Sequence, residues 1–102
     1  MGLFDLLGFG KKSENITNVL ARGAVILDVR SKEEYVQGHI KGSKNIALHV
    51  LNDEIAKVKK WNKPIITCCR SGMRSAQAIA ILKKNDIECF NGGAWQSLER
   101  KL

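Results

Sequence analysis

The stretch from Ile65 to Ala76 constrains the fold more than any other part of this chain. Its first residues, 65–67, are β-branched and lead directly into two cysteines, a pattern typical of a strand buried on both faces. Five residues without apolar periodicity follow, and residues 75–82 then indicate a mostly buried helix. A strand, a tight loop and a helix in this order predict a parallel α/β unit, with the loop at the carboxyl end of its strand.

The loop carries residues suited to holding an anion. Backbone amides that enter a helix N-terminus converge on one point and carry partial positive charge. Arg70 and Arg74 add full charges, and Gly72 tolerates the dihedral angles that such a loop needs. We therefore expect the thiolate of Cys69, the reactive form of cysteine, to be stabilised there. The competing interpretation is a small core residue, since free cysteine is commonly buried.

Residues 69–75 resemble the active-site loop of rhodanese-like sulfurtransferase domains, in which four residues separate a cysteine from an arginine. Further segments resemble the signatures of that family in the same order: Leu27–Arg30, Glu33–Tyr35, Gly38–Ile40, Gly42–Ser43, Asn45–Ile46 and Asn91–Trp95. The resemblance spans about residues 15 to 100 and implies a rhodanese-like three-layer α/β fold. In that fold a small, mostly parallel sheet is flanked by helices on both faces.

The resemblance also implies a reaction and a site. Cys69 would be the nucleophile that takes a sulfane sulfur from thiosulfate or a related donor as a persulfide. The persulfide would then pass its outer sulfur to cyanide, a thiol or an acceptor protein. The substrate-binding residues would be those of the loop, namely Arg70, Ser71, Gly72, Met73 and Arg74. Asp28 and Arg30 would support the site. Asp28 either anchors the end of its strand, which we favour, or orients Arg74, and in either case a carboxylate inside an apolar strand needs a partner. Candidate partners are Arg30, Arg74 and loop amides.

Two other functions stay open. Counted from Cys68, five residues separate a cysteine from Arg74, which is the spacing of phosphatase loops; strand alternation favours Cys69 instead. The family also includes non-catalytic members, so a protein-interaction or sulfur-relay module is the second alternative. For His39 we favour a turn residue bonded to backbone over a catalytic pair with cysteine.

Composition narrows the class of protein. A chain of 102 residues has room for one domain. Its net charge of +7 reflects 17 basic against 10 acidic residues, and the lysines are scattered, some in pairs, without interleaved aromatic residues. We therefore expect small anions rather than nucleic acid or membranes as partners. Three cysteines, an odd number, favour a reducing, cytoplasmic location over a disulfide scaffold. No residues lie at metal-ligand spacing, and we predict neither a metal nor a cofactor.

The remaining elements follow in order along the chain. Residues 1–12 predict an apolar N-terminal arm, and residues 13–102 form the predicted domain. The predicted helices lie near residues 16–20, after a capping Ser31, from residue 48 to about residues 59–61, at 74–84 and at 94–99. Strands or extended segments are predicted at 24–29, 44–47, 65–69 and, as a sheet edge, 86–90. Gly92 and Gly93 are predicted to form a turn.

Overall fold

A computed structural model describes residues 15–102 of the chain. The predicted N-terminal arm, residues 1–12, lies outside the described residues. The helices are α1 (Ile16–Ala21), α2 (Lys32–Gln37), α3 (Ile55–Trp61), α4 (Met73–Lys84) and α5 (Trp95–Glu99), and a 3₁₀ helix (Leu48–Glu54) precedes α3. The strands are β1 (Val25–Asp28), β2 (Lys44–Asn45), β3 (Ile65–Cys69) and β4 (Cys89–Ala94).

The four strands form one parallel sheet in the order β2-β1-β3-β4. Helices α3 and α4 cover one face, where Val58 and Leu82 pack with Leu27 of β1. Helices α1 and α5 cover the other face, where Val19 and Leu98 pack together. The predicted α/β class, with a small parallel sheet between two helical layers, is confirmed.

Strand β3 lies in the middle of the sheet, and all five of its residues are buried. Its side chains alternate between the two helical layers, as the period of a strand requires. Ile66 and Cys68 therefore face α1 and α5, whereas Ile65 and Cys69 face α3 and α4. The sheet thus directs the two adjacent cysteines into different layers of the protein.

The predictions for the helix after residue 48 and for the turn at Gly92 and Gly93 are wrong. The helix predicted from residue 48 begins as a 3₁₀ helix and becomes α-helical only at Ile55. Gly92 and Gly93 do not form a turn, because they lie within β4, which begins at Cys89 and runs to Ala94. Glycine normally weakens a strand, but here it permits a close approach of two backbones. A Cβ atom on Gly92 would lie 2.7 Å from the carbonyl oxygen of Thr67 in the neighbouring strand.

Replacing Gly92 with alanine is expected to lower the free energy of unfolding by about 3 kcal/mol, because the added carbon overpacks a closed site. The added Cβ atom would also lie 2.8 Å from Ile66 Cγ2 and 3.0 Å from Leu98 Cδ2. Gly42→Ala is the matched control, since it has a positive φ but open space around it. That variant should lose about 1 kcal/mol from its dihedral strain alone. Urea unfolding of both variants tests this, and equal losses would contradict the steric explanation.

None of the helices within residues 15–102 combines the length and the apolar character needed to cross a membrane.

Candidate active site

The sulfur of Cys69 lies at the carboxyl end of β3, where the chain enters α4. The backbone N–H of Gly72 donates to Cys69 Sγ at 2.9 Å, and the N–H of Ser75 approaches the same sulfur at 3.4 Å. Gly72 is the residue that precedes the helix, and its φ of +105° favours glycine. The sulfur occupies the position of a capping side chain, because it accepts from the third residue of the helix.

This geometry stabilises negative charge on the sulfur. Two amide donors point at it, and the positive end of the dipole of the 12-residue helix α4 lies beside it. Cys69 itself is only 1% exposed, whereas Arg70, Ser71 and Met73 around it are exposed. The sulfur therefore lies directly beneath the loop surface. A reacting partner must present a narrow group to it.

The loop is shorter than predicted. Helix α4 begins at Met73, so three residues connect strand and helix instead of five. Arg74 consequently lies in the first turn of α4, and its guanidinium forms a two-point ion pair with Glu34 of α2 at 2.7 and 3.0 Å. Arg70 stays in the loop and is exposed. It lines an adjacent pocket of about 420 Å³, which residues 71–74 do not line.

Glu34 links α2 to the site and was not predicted from the sequence. Its carboxylate accepts from Arg74 and also from the backbone and hydroxyl of Ser31, which completes a capping box at the start of α2. The hydrogen bond from Arg74, followed by that from the Ser31 backbone, lowers the pKa of Glu34 from 4.5 to about 2. The S-x-x-E pattern signals the cap, but nothing in the sequence pairs residues 40 positions apart.

The lowered pKa of Glu34 makes stability depend on pH in acid. Its carboxylate stabilises the fold above pH 4.5, and this contribution is lost as pH falls from 4.5 toward about 2, where the folded protein also takes up the proton. We expect Glu34→Gln to remove part of that acid dependence in urea unfolding experiments. Glu33→Gln is the matched control, because Glu33 is exposed on the same helix turn. An unchanged pH dependence in Glu34→Gln would contradict the role of this ion pair.

Asp28 and Arg30 form a second, more deeply buried ion pair. Asp28 is fully buried and Arg30 is 4% exposed. The Arg30 guanidinium donates to both Asp28 carboxylate oxygens at 2.7 to 3.0 Å and to the carbonyl of Gly38 at 2.7 Å. It also lies over the Trp95 ring, 4.8 Å from its centroid. The partner of Asp28 is thus Arg30 rather than Arg74, and the pair ties β1 to the chain after α2.

A chain of buried hydroxyls supports the loop from behind, and the sequence did not reveal it. The Ser75 hydroxyl donates to Asn91 Oδ1 at 2.6 Å, and the Thr67 and Ser75 hydroxyl oxygens are 2.6 Å apart. The N–H of Gly93 donates to the same Asn91 oxygen at 2.8 Å. These bonds fix the start of α4 against β3 and β4. Ser75 therefore holds its own amide toward Cys69.

Cys68 is in a different environment. It is fully buried in the apolar cluster on the opposite face of the sheet, with Ile40 and Leu98. Burial, together with the nearby Asp28 carboxylate, raises the pKa of the Cys68 thiol to about 12. This thiol stays protonated near neutral pH. These observations argue against a phosphatase-like loop that begins at Cys68.

His39 does not complete a pair with cysteine. Its Nδ1 is 2.7 Å from the carbonyl oxygen of Tyr35, and its ring stacks on Tyr35 at 3.8 Å between centroids. This is the backbone-bonded position that we favoured. Within residues 15–102, no three His, Cys, Asp or Glu side chains are grouped to hold a metal ion.

Comparison with known proteins supplies independent evidence. Residues 13–97 match the model of the rhodanese-like domain family. Thiosulfate sulfurtransferase GlpE of Stutzerimonas stutzeri is 40% identical over 74 residues, which cover 70% of this chain and 67% of the relative. The uncharacterized protein YqhL of Bacillus subtilis is 36% identical over 71 residues, 69% of this chain but only 56% of YqhL.

A solved structure agrees with these relatives. Reduced CoADR-RHD of Bacillus anthracis superposes with a TM-score of 0.70 and 33% identity. The match covers 82% of this chain and 15% of that much longer one. The similarity to CoADR-RHD therefore concerns one domain of a larger protein.

Proposed function

This chain belongs to the rhodanese-like domain family, and from that membership we propose that it is a sulfurtransferase that uses thiosulfate as donor and Cys69 as nucleophile. The observation that carries the proposal is the pair of backbone amides, from Gly72 and Ser75, directed at Cys69 Sγ. Amides placed in this way stabilise a thiolate before reaction and cost no reorganisation during it.

The reaction proceeds in two displacements. The Cys69 thiolate attacks the outer sulfur of thiosulfate, an S–S bond forms, and the bond to the sulfonate sulfur breaks so that sulfite leaves with the electron pair. The product is a negatively charged persulfide on Cys69. Cyanide, a thiol or an acceptor protein then attacks the outer sulfur of that persulfide. With cyanide the products are thiocyanate and the regenerated thiolate.

The charges around the loop suit an anionic donor. Arg70 is exposed at the mouth of the loop, where it can approach the sulfonate oxygens. Arg74 is already neutralised by Glu34, so its contribution to the donor site is reduced. The near-complete burial of Cys69 favours a donor that presents a single outer sulfur. We therefore assign donor binding chiefly to Arg70 and the loop amides.

Steady-state formation of thiocyanate from thiosulfate and cyanide tests the proposal. We expect ping-pong kinetics, because sulfite leaves before cyanide reacts. Arg70→Ala should raise the KM for thiosulfate roughly tenfold, whereas Arg100→Ala, an exposed arginine on another segment, should leave KM unchanged. The absence of thiocyanate with thiosulfate as donor would overturn the proposal and favour a sulfur relay supplied by another protein.

A further inference from the structure

A second pocket lies at the opposite end of the sheet from Cys69 and has a volume of about 370 Å³. It adjoins the amino end of β1, whereas Cys69 ends β3. Three lysines, one tryptophan and the start of β1 line it: Gly23, Ala24, Val25, Ile26, Lys41, Gly42, Lys44, Trp61 and Lys63. No carboxylate of residues 15–102 belongs to this lining, so the described part of the pocket is strongly positive.

The charges of the three pocket lysines are not paired within the described part of the chain. Lys41, Lys44 and Lys63 are all exposed, and none forms an ion pair with an acidic side chain of residues 15–102. Lys44 Nζ lies 5.6 Å from the centre of the Trp61 ring, which holds that lysine over the pocket. Three unpaired cations around one cavity repel each other and favour an occupant with several negative charges.

The backbone that lines the pocket is an open strand edge. Strand β2 pairs only with Leu27 and Asp28, so Val25 and Ile26 face no neighbouring strand on that side within the described part of the chain. The N–H of Val25 donates to Pro64 on the side of β3. Successive strand amides point in opposite directions, so the Ile26 N–H and the Ala24 carbonyl face the pocket. An open edge of this kind is a template for an added strand.

We propose that this pocket binds an extended acidic segment of a partner protein, which adds to the open edge of β1 in line with β2. The carbonyl and amide groups of the segment would pair with Ile26 and Ala24, and its acidic side chains would meet the three lysines. The open edge favours a peptide over a small anion, which would need only the lysines. Because Cys69 lies at the other end of the sheet, a bound segment leaves the thiol accessible. Peptide binding at this edge is independent of sulfur transfer at Cys69.

The test is a titration of the isotope-labelled full chain, followed by NMR, with a blocked pentapeptide in which glutamate and valine alternate. We expect the Ile26 amide and the Trp61 indole to shift and the Ile26 amide to become protected from hydrogen exchange. A control peptide in which lysine replaces each glutamate should not bind. Added salt should weaken binding of the acidic peptide, because the attraction is between exposed charges.

Matched variants locate the interaction. Removing the three pocket lysines together, as Lys41→Ala, Lys44→Ala and Lys63→Ala, should weaken binding roughly tenfold or more. Removing three exposed lysines elsewhere, as Lys32→Ala, Lys84→Ala and Lys101→Ala, has the same effect on net charge and should weaken it much less. Equal losses in the two triple variants would overturn the proposal.

Two further results would also contradict it. If inorganic phosphate alone reproduces the shift and protection of the Ile26 amide, the pocket binds simple anions and no strand is added. If the Ile26 amide is already protected in the free chain, residues 1–12 or another copy of the chain occupy the edge instead. Folding of every variant is checked by retained persulfide formation from thiosulfate, or by its circular dichroism spectrum if the chain proves inactive with that donor.

Discussion

Replacing Cys69 with serine is expected to reduce sulfur transfer from thiosulfate roughly a thousandfold or more, because a serine hydroxyl is a far weaker nucleophile for sulfur. The fold should survive, since the serine oxygen can accept from the Gly72 amide that now bonds to the Cys69 sulfur. Thiocyanate formation measures the loss, and urea unfolding measures the stability.

The adjacent cysteine provides the control. Cys68→Ala changes a thiol that faces the opposite helical layer and has a pKa raised to about 12. Alanine is chosen over serine because it places no unpaired hydroxyl in the apolar cluster. We therefore expect a modest loss of stability and nearly full activity. If Cys68→Ala abolished the reaction while Cys69→Ser retained it, the assignment of the nucleophile would be wrong.

The largest loss of stability is expected for Asp28→Ala. This change leaves the Arg30 guanidinium, 4% exposed, without its counter-charge. Removing one partner of a buried ion pair typically costs about 3 to 5 kcal/mol, because the remaining charge stays desolvated. Unfolding by urea at neutral pH measures the cost. Sulfur transfer should also decrease. Arg30 contacts the Gly38 carbonyl and the Trp95 ring, and these residues line the same pocket as Arg70 of the loop.

An exposed ion pair of the same protein serves for comparison. Glu88→Ala breaks the ion pair between Glu88 and Arg22. The Glu88 side chain is 35% exposed and the Arg22 side chain is 41% exposed. Such pairs contribute about 0 to 1 kcal/mol. Replacing both members of the buried pair with apolar residues, as Asp28→Leu with Arg30→Met, should recover part of the loss seen in Asp28→Ala. A cost for Asp28→Ala no greater than that for Glu88→Ala would contradict the buried-pair interpretation.

The sequence predicts well where Cys69 lies in the fold, because the relevant signals are local. The strand of residues 65–69, the short loop and the helix after it are neighbours in the chain, and the period of a strand separates Cys68 from Cys69. The capping role of Ser31 is equally local and is confirmed by its bond from the Glu34 amide.

The parts that sequence patterns missed depend on distant contacts. Gly92 and Gly93 have the composition of a turn, but the neighbouring strand backbone at Thr67 keeps Gly92 within β4. Arg74 lies near the loop in sequence, yet its partner Glu34 is 40 positions away in α2, and only the folded chain brings the two side chains together. Asn91 likewise receives its bond from Ser75 across 16 residues. Local propensity cannot predict such pairings, since tertiary packing decides them.

The most direct test of the central claim is the intact mass of the reduced protein after incubation with thiosulfate and removal of the reagent. We expect one added sulfur, about 32 Da, on the wild type and on Cys68→Ala, and none on Cys69→Ser. Treatment with cyanide should remove the added mass. A wild-type protein that gains no sulfur, or a Cys69→Ser variant that still gains one, would contradict the assignment of Cys69 as the sulfur-accepting nucleophile.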